Sequence, residues 1–222
     1  MAILGERERR YLMSKFEREL SGKVRLIVFT QEFECEYCAE VRSLAEEIAE
    51  LDDRISAEVY DFQSDRGLAE RLRVDKIPAL LVFGEKEYGI RFFGIPSGYE
   101  FMTLVDDIIQ VSKGSSSLPA HLKEKVRQID RPVHIQVFVT PTCPYCPIAV
   151  RTAHQMAIEN MNITSDMIEV LEFPHLAHKY QVIAVPKIVI NYRTSFEGAL
   201  PETLFIEHVL AAIKNNSNHA KL

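Results

Sequence analysis

Val133-His134-Ile135-Gln136-Val137-Phe138, followed shortly by Thr142-Cys143-Pro144-Tyr145-Cys146-Pro147, is the stretch on which the reading of this chain turns. The first run is β-branched and aromatic, as a strand requires. Two cysteines separated by two residues come next, at the start of a helical pattern. A sulfur at a helix N-terminus meets unpaired backbone N–H groups and the positive end of the helix dipole, which favour a thiolate. The thiolate is the nucleophile of disulfide exchange. This geometry predicts Cys143 as the attacking sulfur and Cys146, about one turn on, as the resolving one. Pro144 suits the first helical turn, where the N–H it lacks would be unpaired anyway, and Pro147 is tolerated for the same reason.

Shifting the sequence by 108 residues lays Cys143-Pro144-Tyr145-Cys146 on Cys35-Glu36-Tyr37-Cys38. Val24-Arg25-Leu26-Ile27-Val28-Phe29 then faces the strand quoted above, with one extra residue before Cys35. Pro78 follows Cys35 by 43 residues, and Pro186 follows Cys143 by the same 43. Gly94 and Gly198 provide a third matching pair. The chain is therefore an internal duplication. Gly114-Ser115-Ser116-Ser117-Leu118-Pro119 interrupts two amphipathic segments and marks the seam, giving expected units at 1–116 and 117–222.

Each copy reads helix, strand, helix, strand, helix, strand, strand, helix. In the first copy the leading helix covers roughly 6–20, the strands 24–29, 55–61, 79–83 and 88–93, and a short helix 68–72. Val41, Leu44, Ala45, Ile48 and Leu51 mark the helix after the first CxxC, and Phe101, Leu104, Val105 and Ile108 the closing one. The near-continuous apolar strands call for a sheet covered on both faces. The predicted class is α/β: two tandem units, each a central mixed sheet flanked by helices.

Pro78 and Pro186 each stand in front of a covered strand at a fixed distance from a CxxC, and both are predicted to be cis. Such a bend brings the backbone of Ile77 or Val185 beside the sulfurs, where an extended substrate pairs by strand addition. Glu36 with Tyr37, and Pro144 with Tyr145, are the residues within the motifs that tune each site, the tyrosines by packing beside sulfur and setting access. Glu32, Glu34, Glu36 and Glu40 surround the first motif, whereas no carboxylate lies between Thr140 and Arg151. Nearby negative charge disfavours a thiolate, so Cys143 is expected to be the faster nucleophile and the CPYC site the principal one.

These residues resemble the thioredoxin fold, and Thr142 to Cys146 resembles the glutaredoxin motif. Over residues 6–213 the tandem pattern is similar to the protein disulfide oxidoreductases of hyperthermophiles. That resemblance implies two redox-active pairs, catalysis by Cys35, Cys38, Cys143 and Cys146, and reduction, formation or isomerisation of disulfides in protein substrates. It further implies a thioredoxin-reductase-type flavoenzyme as electron donor, no cofactor beyond the redox disulfides, and a cytoplasmic location. Unlike thioredoxins, the chain has no Trp. Phe29 and Val137 occupy the place of their buried Asp, leaving no proton acceptor identified. Ala184-Val185-Pro186 and Gly198-Ala199 depart from the glutathione-binding pattern of glutaredoxins.

Composition narrows the alternatives. With 222 residues the chain falls between one domain and two. A net charge of -6 opposes nucleic-acid binding. It is unevenly spread: residues 1–118 carry 16 basic and 23 acidic side chains, while the remainder carries 10 and 9. The opening residues lack a signal-peptide core, and no apolar run is long enough for a membrane span. Zinc is the competing use of paired CxxC motifs, but ribbons separate them by about 15 to 20 residues, and here Cys38 and Cys143 are 105 apart. No metal is expected. A glutathione-linked glutaredoxin and a non-catalytic peptide- or zinc-binding module remain the alternatives.

Overall fold

The computed structural model describes residues 3–219. The first unit contains α1 (Glu6–Glu19), β1 (Val24–Thr30), α2 (Cys38–Ala49), β2 (Ile55–Asp61), α3 (Arg66–Arg71), β3 (Ala79–Phe83), β4 (Ile90–Phe93) and α4 (Phe101–Lys113). The second repeats it with α5 (Ala120–Arg127), β5 (Val133–Val139), α6 (Cys146–Glu159), β6 (Ile163–Glu169), α7 (Pro174–Lys179), β7 (Lys187–Ile190), β8 (Thr194–Glu197) and α8 (Glu202–His219). No described helix is long and apolar enough to cross a membrane.

The two units do not keep separate sheets. Their strands form one eight-stranded sheet in the order β2-β1-β3-β4-β6-β5-β7-β8. Pairing of β4 with β6 is parallel, with Ile90 opposite Ser165 and Phe93 opposite Ile168. Strands β3 and β7 run against their neighbours, so β1 and β5 point the same way. Both CxxC motifs consequently emerge at the same end of the sheet. They are four strand spacings apart, roughly 20 Å at about 4.8 Å per strand.

Period-two alternation divides the core. Leu26, Val28, Leu80, Val82, Ile135 and Val137 face the side covered by α1, α2, α4, α5, α6 and α8, whereas Ile27, Phe29, Leu81, Phe138 and Val189 face α3 and α7. Burial on both faces explains why these strands are so uniformly apolar. At the seam Phe92 packs edge-on against His154 at 4.9 Å, and Phe93 lies on the opposite face beneath the Lys76 ammonium at 3.8 Å from its ring centroid. Both phenylalanines are fully buried, each contributing about 1.5–3 kcal/mol of burial. Beside them Arg91 Nε reaches Asp166 Oδ1 at 2.7 Å, and His134 Nε2 lies 2.6 Å from Asp166 Oδ2. Burial alone would push the Asp166 carboxyl up, but the adjacent Arg91 and His134 charges drive it well below the usual carboxylate range.

The strand predicted from Tyr88 begins at Ile90. Gly89 turns into the seam instead, and its carbonyl accepts the Ser165 N–H at 2.7 Å. A side chain at Gly89 would run into the Ile163 carbonyl oxygen. The Gly-Ser connection between α4 and α5 is tied down rather than slack. Glu159 Oε1 accepts Ser116 N at 2.8 Å, its Oε2 meets Arg127 at 2.7 Å, and Ser117 N donates to Gln110 Oε1 at 2.8 Å.

Candidate active site

Cys35–Cys38 and Cys143–Cys146 are each closed as a disulfide, with Cα atoms 5.5 Å apart in both. The helices start at the second cysteine of each pair. The first sulfur lies just ahead of the helix, and Cys146 N donates to Cys143 Sγ at 3.1 Å. The expected helix-terminal environment of Cys143 is thereby present. Pro144, however, stands in the turn before α6, not in its first helical turn, and Pro147 is the proline at the helix start.

Ile77–Pro78 and Val185–Pro186 are both cis. In each unit the proline carbonyl accepts a glycine N–H, from Gly94 at 3.0 Å and from Gly198 at 2.9 Å. Both glycines have positive φ, 87° and 95°, a conformation that side-chain-bearing residues rarely adopt. This explains the third repeated marker. Because Phe29 pairs with Ala79 and Phe138 with Lys187, each proline sits at the outgoing end of the strand that leads to the cysteines. Cys143 Sγ lies 3.8 Å from the Val185 carbonyl oxygen, so the structure brings together the sulfur and the main chain expected to meet it.

The two sites differ in their surroundings. Cys143 is buried and Cys35 half-buried, each with a buried partner cysteine. The loop before Cys35 is longer by one residue and holds Glu34 at φ 58°. Tyr37 is half-buried, with its hydroxyl pushed up first by Glu36, then by burial, Glu172 and Glu169. Tyr145 projects into solvent.

Each site borders a loop from the other unit. The end of β6 and the segment after it bring Glu169 and Glu172 toward the first motif. Glu172 Oε1 accepts Ile95 N at 2.6 Å. Its carboxyl is raised to about 7 by burial, reinforced by Glu169, Glu36 and Glu40. The segment after β4 reaches the second motif, where Tyr99 N donates to the Pro141 carbonyl at 3.2 Å. The next residue, Glu100, is fully buried, and both its carboxyl oxygens lack a hydrogen-bond partner among the described residues. Burial raises Glu100 to about 7, against the pull of the nearby Thr103 hydroxyl and of His154 and Arg151 on α6.

Glu100 is the site feature that the sequence reading missed. A signal was available: Glu100, Thr103, Asp107 and Gln110 recur at helical spacing and are all buried. They make a polar stripe along α4 where it packs on α6, and Asp107 Oδ2 shares a 2.6 Å hydrogen bond with His154 Nδ1. Glu169 and Glu172 were equally invisible, because they reach the first motif only through the β4–β6 join.

Comparison with known proteins agrees with this geometry. A family model described as a thioredoxin domain matches residues 133–211. A crystal structure of a protein disulfide oxidoreductase from Aeropyrum pernix K1 superposes with a TM-score of 0.89 at 31% identity, covering 95% of this chain and 94% of that one. The chain belongs to the protein disulfide oxidoreductase family. It is also similar to the N-terminal domain of alkylhydroperoxide reductase AhpF from Enterococcus faecalis (TM-score 0.85, 27% identity, 93% of this chain and 99% of that one). An alkyl hydroperoxide reductase polypeptide of Pseudomonas aeruginosa is 32% identical over 57% of this chain and 24% of its own length. The chain spans about a third or less of the length of the curated relatives it matches.

Proposed function

We propose that this protein is a dithiol–disulfide oxidoreductase acting on protein thiols and disulfides through both CxxC pairs. The observation that carries the reading is the Cys143–Cys146 disulfide at the outgoing end of β5, with the Val185 carbonyl 3.8 Å from the attacking sulfur. That main chain is the pairing edge for an extended substrate, with Val185 and Pro186 binding at the second site and Ile77 and Pro78 at the first.

In the reducing direction, the Cys143 thiolate attacks a substrate disulfide. A Cys143–substrate bond forms, and the first substrate sulfur leaves and takes a proton. The Cys146 thiol then loses its proton and attacks Cys143, releasing the second substrate sulfur. The substrate gains two electrons and two protons, and the enzyme ends as its disulfide. Glu100 is proposed as the acceptor for the Cys146 proton: it is buried, its carboxyl is raised to about 7, and the preceding residue, Tyr99, bonds the Pro141 carbonyl just ahead of the second motif. Run backwards, the same steps oxidise a dithiol. Cys35 and Cys38 play the same parts at the first site.

A flavoenzyme of the thioredoxin-reductase type is the proposed electron donor, supported by the family resemblance and by the likeness to a domain of a larger hydroperoxide reductase. No cofactor beyond the two disulfides, and a cytoplasmic location, complete the proposal.

The decisive experiment is a redox titration with differential alkylation, following the Cys35/Cys38 and Cys143/Cys146 peptides separately. Both pairs titrating reversibly is the expected result. If neither pair changes state across the buffer range, and the Cys35→Ser/Cys143→Ser variant exchanges disulfides as fast as the unaltered chain, the proposal fails.

A further inference from the structure

We infer that the two sites select different partners by charge: the CEYC site takes thiols or disulfides flanked by cationic side chains, and the CPYC site takes apolar segments. The inference rests on the exchange chemistry proposed above and deepens it.

Around the first disulfide, Glu32, Glu34 and Glu36 are all exposed. Glu172, supplied by the second unit, stands close enough for Glu36 and Glu40 to raise its carboxyl, which burial has already pushed up. Glu169, behind it, is 3% exposed with Oε1 unpaired. These carboxyls repel one another, so a cation arriving at the rim relieves a strain already present. Lys76, the basic residue next to Ile77, does not neutralise them, because its ammonium is paired with Asp75 and seated over Phe93. Phe33, 78% exposed at the same rim, offers a ring face to an arriving guanidinium or ammonium group.

The second disulfide has the opposite rim. Tyr145 is 65% exposed, Ile148 45%, and Ile183, two residues before Val185, 92%. A strand pairing with the Val185 main chain would meet these side chains rather than carboxylates. Charge complementarity on one rim and its absence on the other assign a cationic protein partner to the first site.

The test uses two prereduced single-site proteins, Cys143→Ser/Cys146→Ser and Cys35→Ser/Cys38→Ser. Each is mixed in single turnover with synthetic disulfide-looped peptides that differ only in flanking Lys, Glu or Leu pairs. The first-site protein should be oxidised at least about tenfold faster by the Lys peptide than by the Glu peptide at about 10 mM salt, with the ratio collapsing toward unity near 1 M. Glu32→Lys/Glu34→Lys should abolish that ratio. The second-site protein should prefer the Leu peptide several-fold, with little response to salt. Equal Lys and Glu rates at the first site, or a preference that ignores salt and charge reversal, would overturn the inference while leaving exchange intact. Failure of both proteins and of the unaltered chain to oxidise with any peptide would bring down the underlying redox reading as well.

Discussion

The first and second CxxC sites share their spacing, strand-to-helix position, cis-proline and positive-φ glycine, yet only the first motif is ringed by carboxylates, while the second has Glu100, fully buried, on the segment that meets the loop before it. Repetition thus preserved the parts that make exchange possible, the sulfur pair and the main chain beside it. It did not preserve the parts that set how readily a thiol ionises or which partner approaches. Local motif and neighbouring unit contribute separately to each site.

One continuous sheet holds both sites in place, and the largest expected effect comes from breaking it at Asp166. Asp166→Ala leaves Arg91 buried without its carboxylate and should cost about 3–5 kcal/mol, read as a lowered denaturant midpoint. The same residue sets an acid limit. Its folded pKa lies below the ordinary value of about 3.9, so the unfolded chain binds more protons in that interval. Stability from this group is complete above about pH 4 and is lost as pH falls toward the folded value. Acid unfolding curves of Asp166→Asn should lack that component; identical curves would show that the seam does not depend on the ion pair.

A smaller effect sharpens the contrast at the second site. Glu100→Gln should slow resolution by Cys146 on the order of 10²-fold, the low end for general acid–base catalysis, and leave the first site unaffected. In the unaltered chain that step should accelerate as pH rises through about 7, where Glu100 becomes a base. The variant should lose this inflection in stopped-flow traces of mixed-disulfide decay. An unchanged profile would remove Glu100 from the proton path.

The smallest effect separates charge from rigidity at the first site. Glu36→Gln should raise the alkylation rate of reduced Cys35 about threefold, as expected for one charge roughly 6 Å away in water. Glu36→Pro adds the stiffness of the second motif. If only the proline variant is faster, turn geometry and not charge distinguishes the sites.

Most of the architecture was legible because duplication supplies an internal control. The equal 43-residue intervals separate Pro78 and Pro186 from prolines that merely punctuate. The seam was not legible. Strand β6 reads Ile-Thr-Ser-Asp-Met-Ile-Glu, with no period-two apolar pattern, so nothing in residues 163–169 advertises a neighbour. Glu100 was hidden for a related reason: Leu104, Val105 and Ile108 describe the sheet-facing side of α4, and the polar side becomes informative only once α6 is known to cover it. At the second motif the helix starts at the second cysteine, not the first, with the sulfur of Cys143 satisfying the Cys146 N–H from outside the helix.

The way the sheet is joined has a further consequence. Had the units met about a two-fold axis, both copies would have offered the same edge, and each cysteine pair would have acquired an identical neighbour. They are instead joined head to tail, β4 of one against β6 of the other, leaving β2 and β8 as unlike outer edges. A translational junction gives its two members different environments by construction. One pair inherits the loop that follows β6, the other the loop that follows β4. From the moment the gene doubled, substitutions at equivalent positions no longer had equivalent effects, and the two redox centres were free to diverge without any change in the scaffold that carries them.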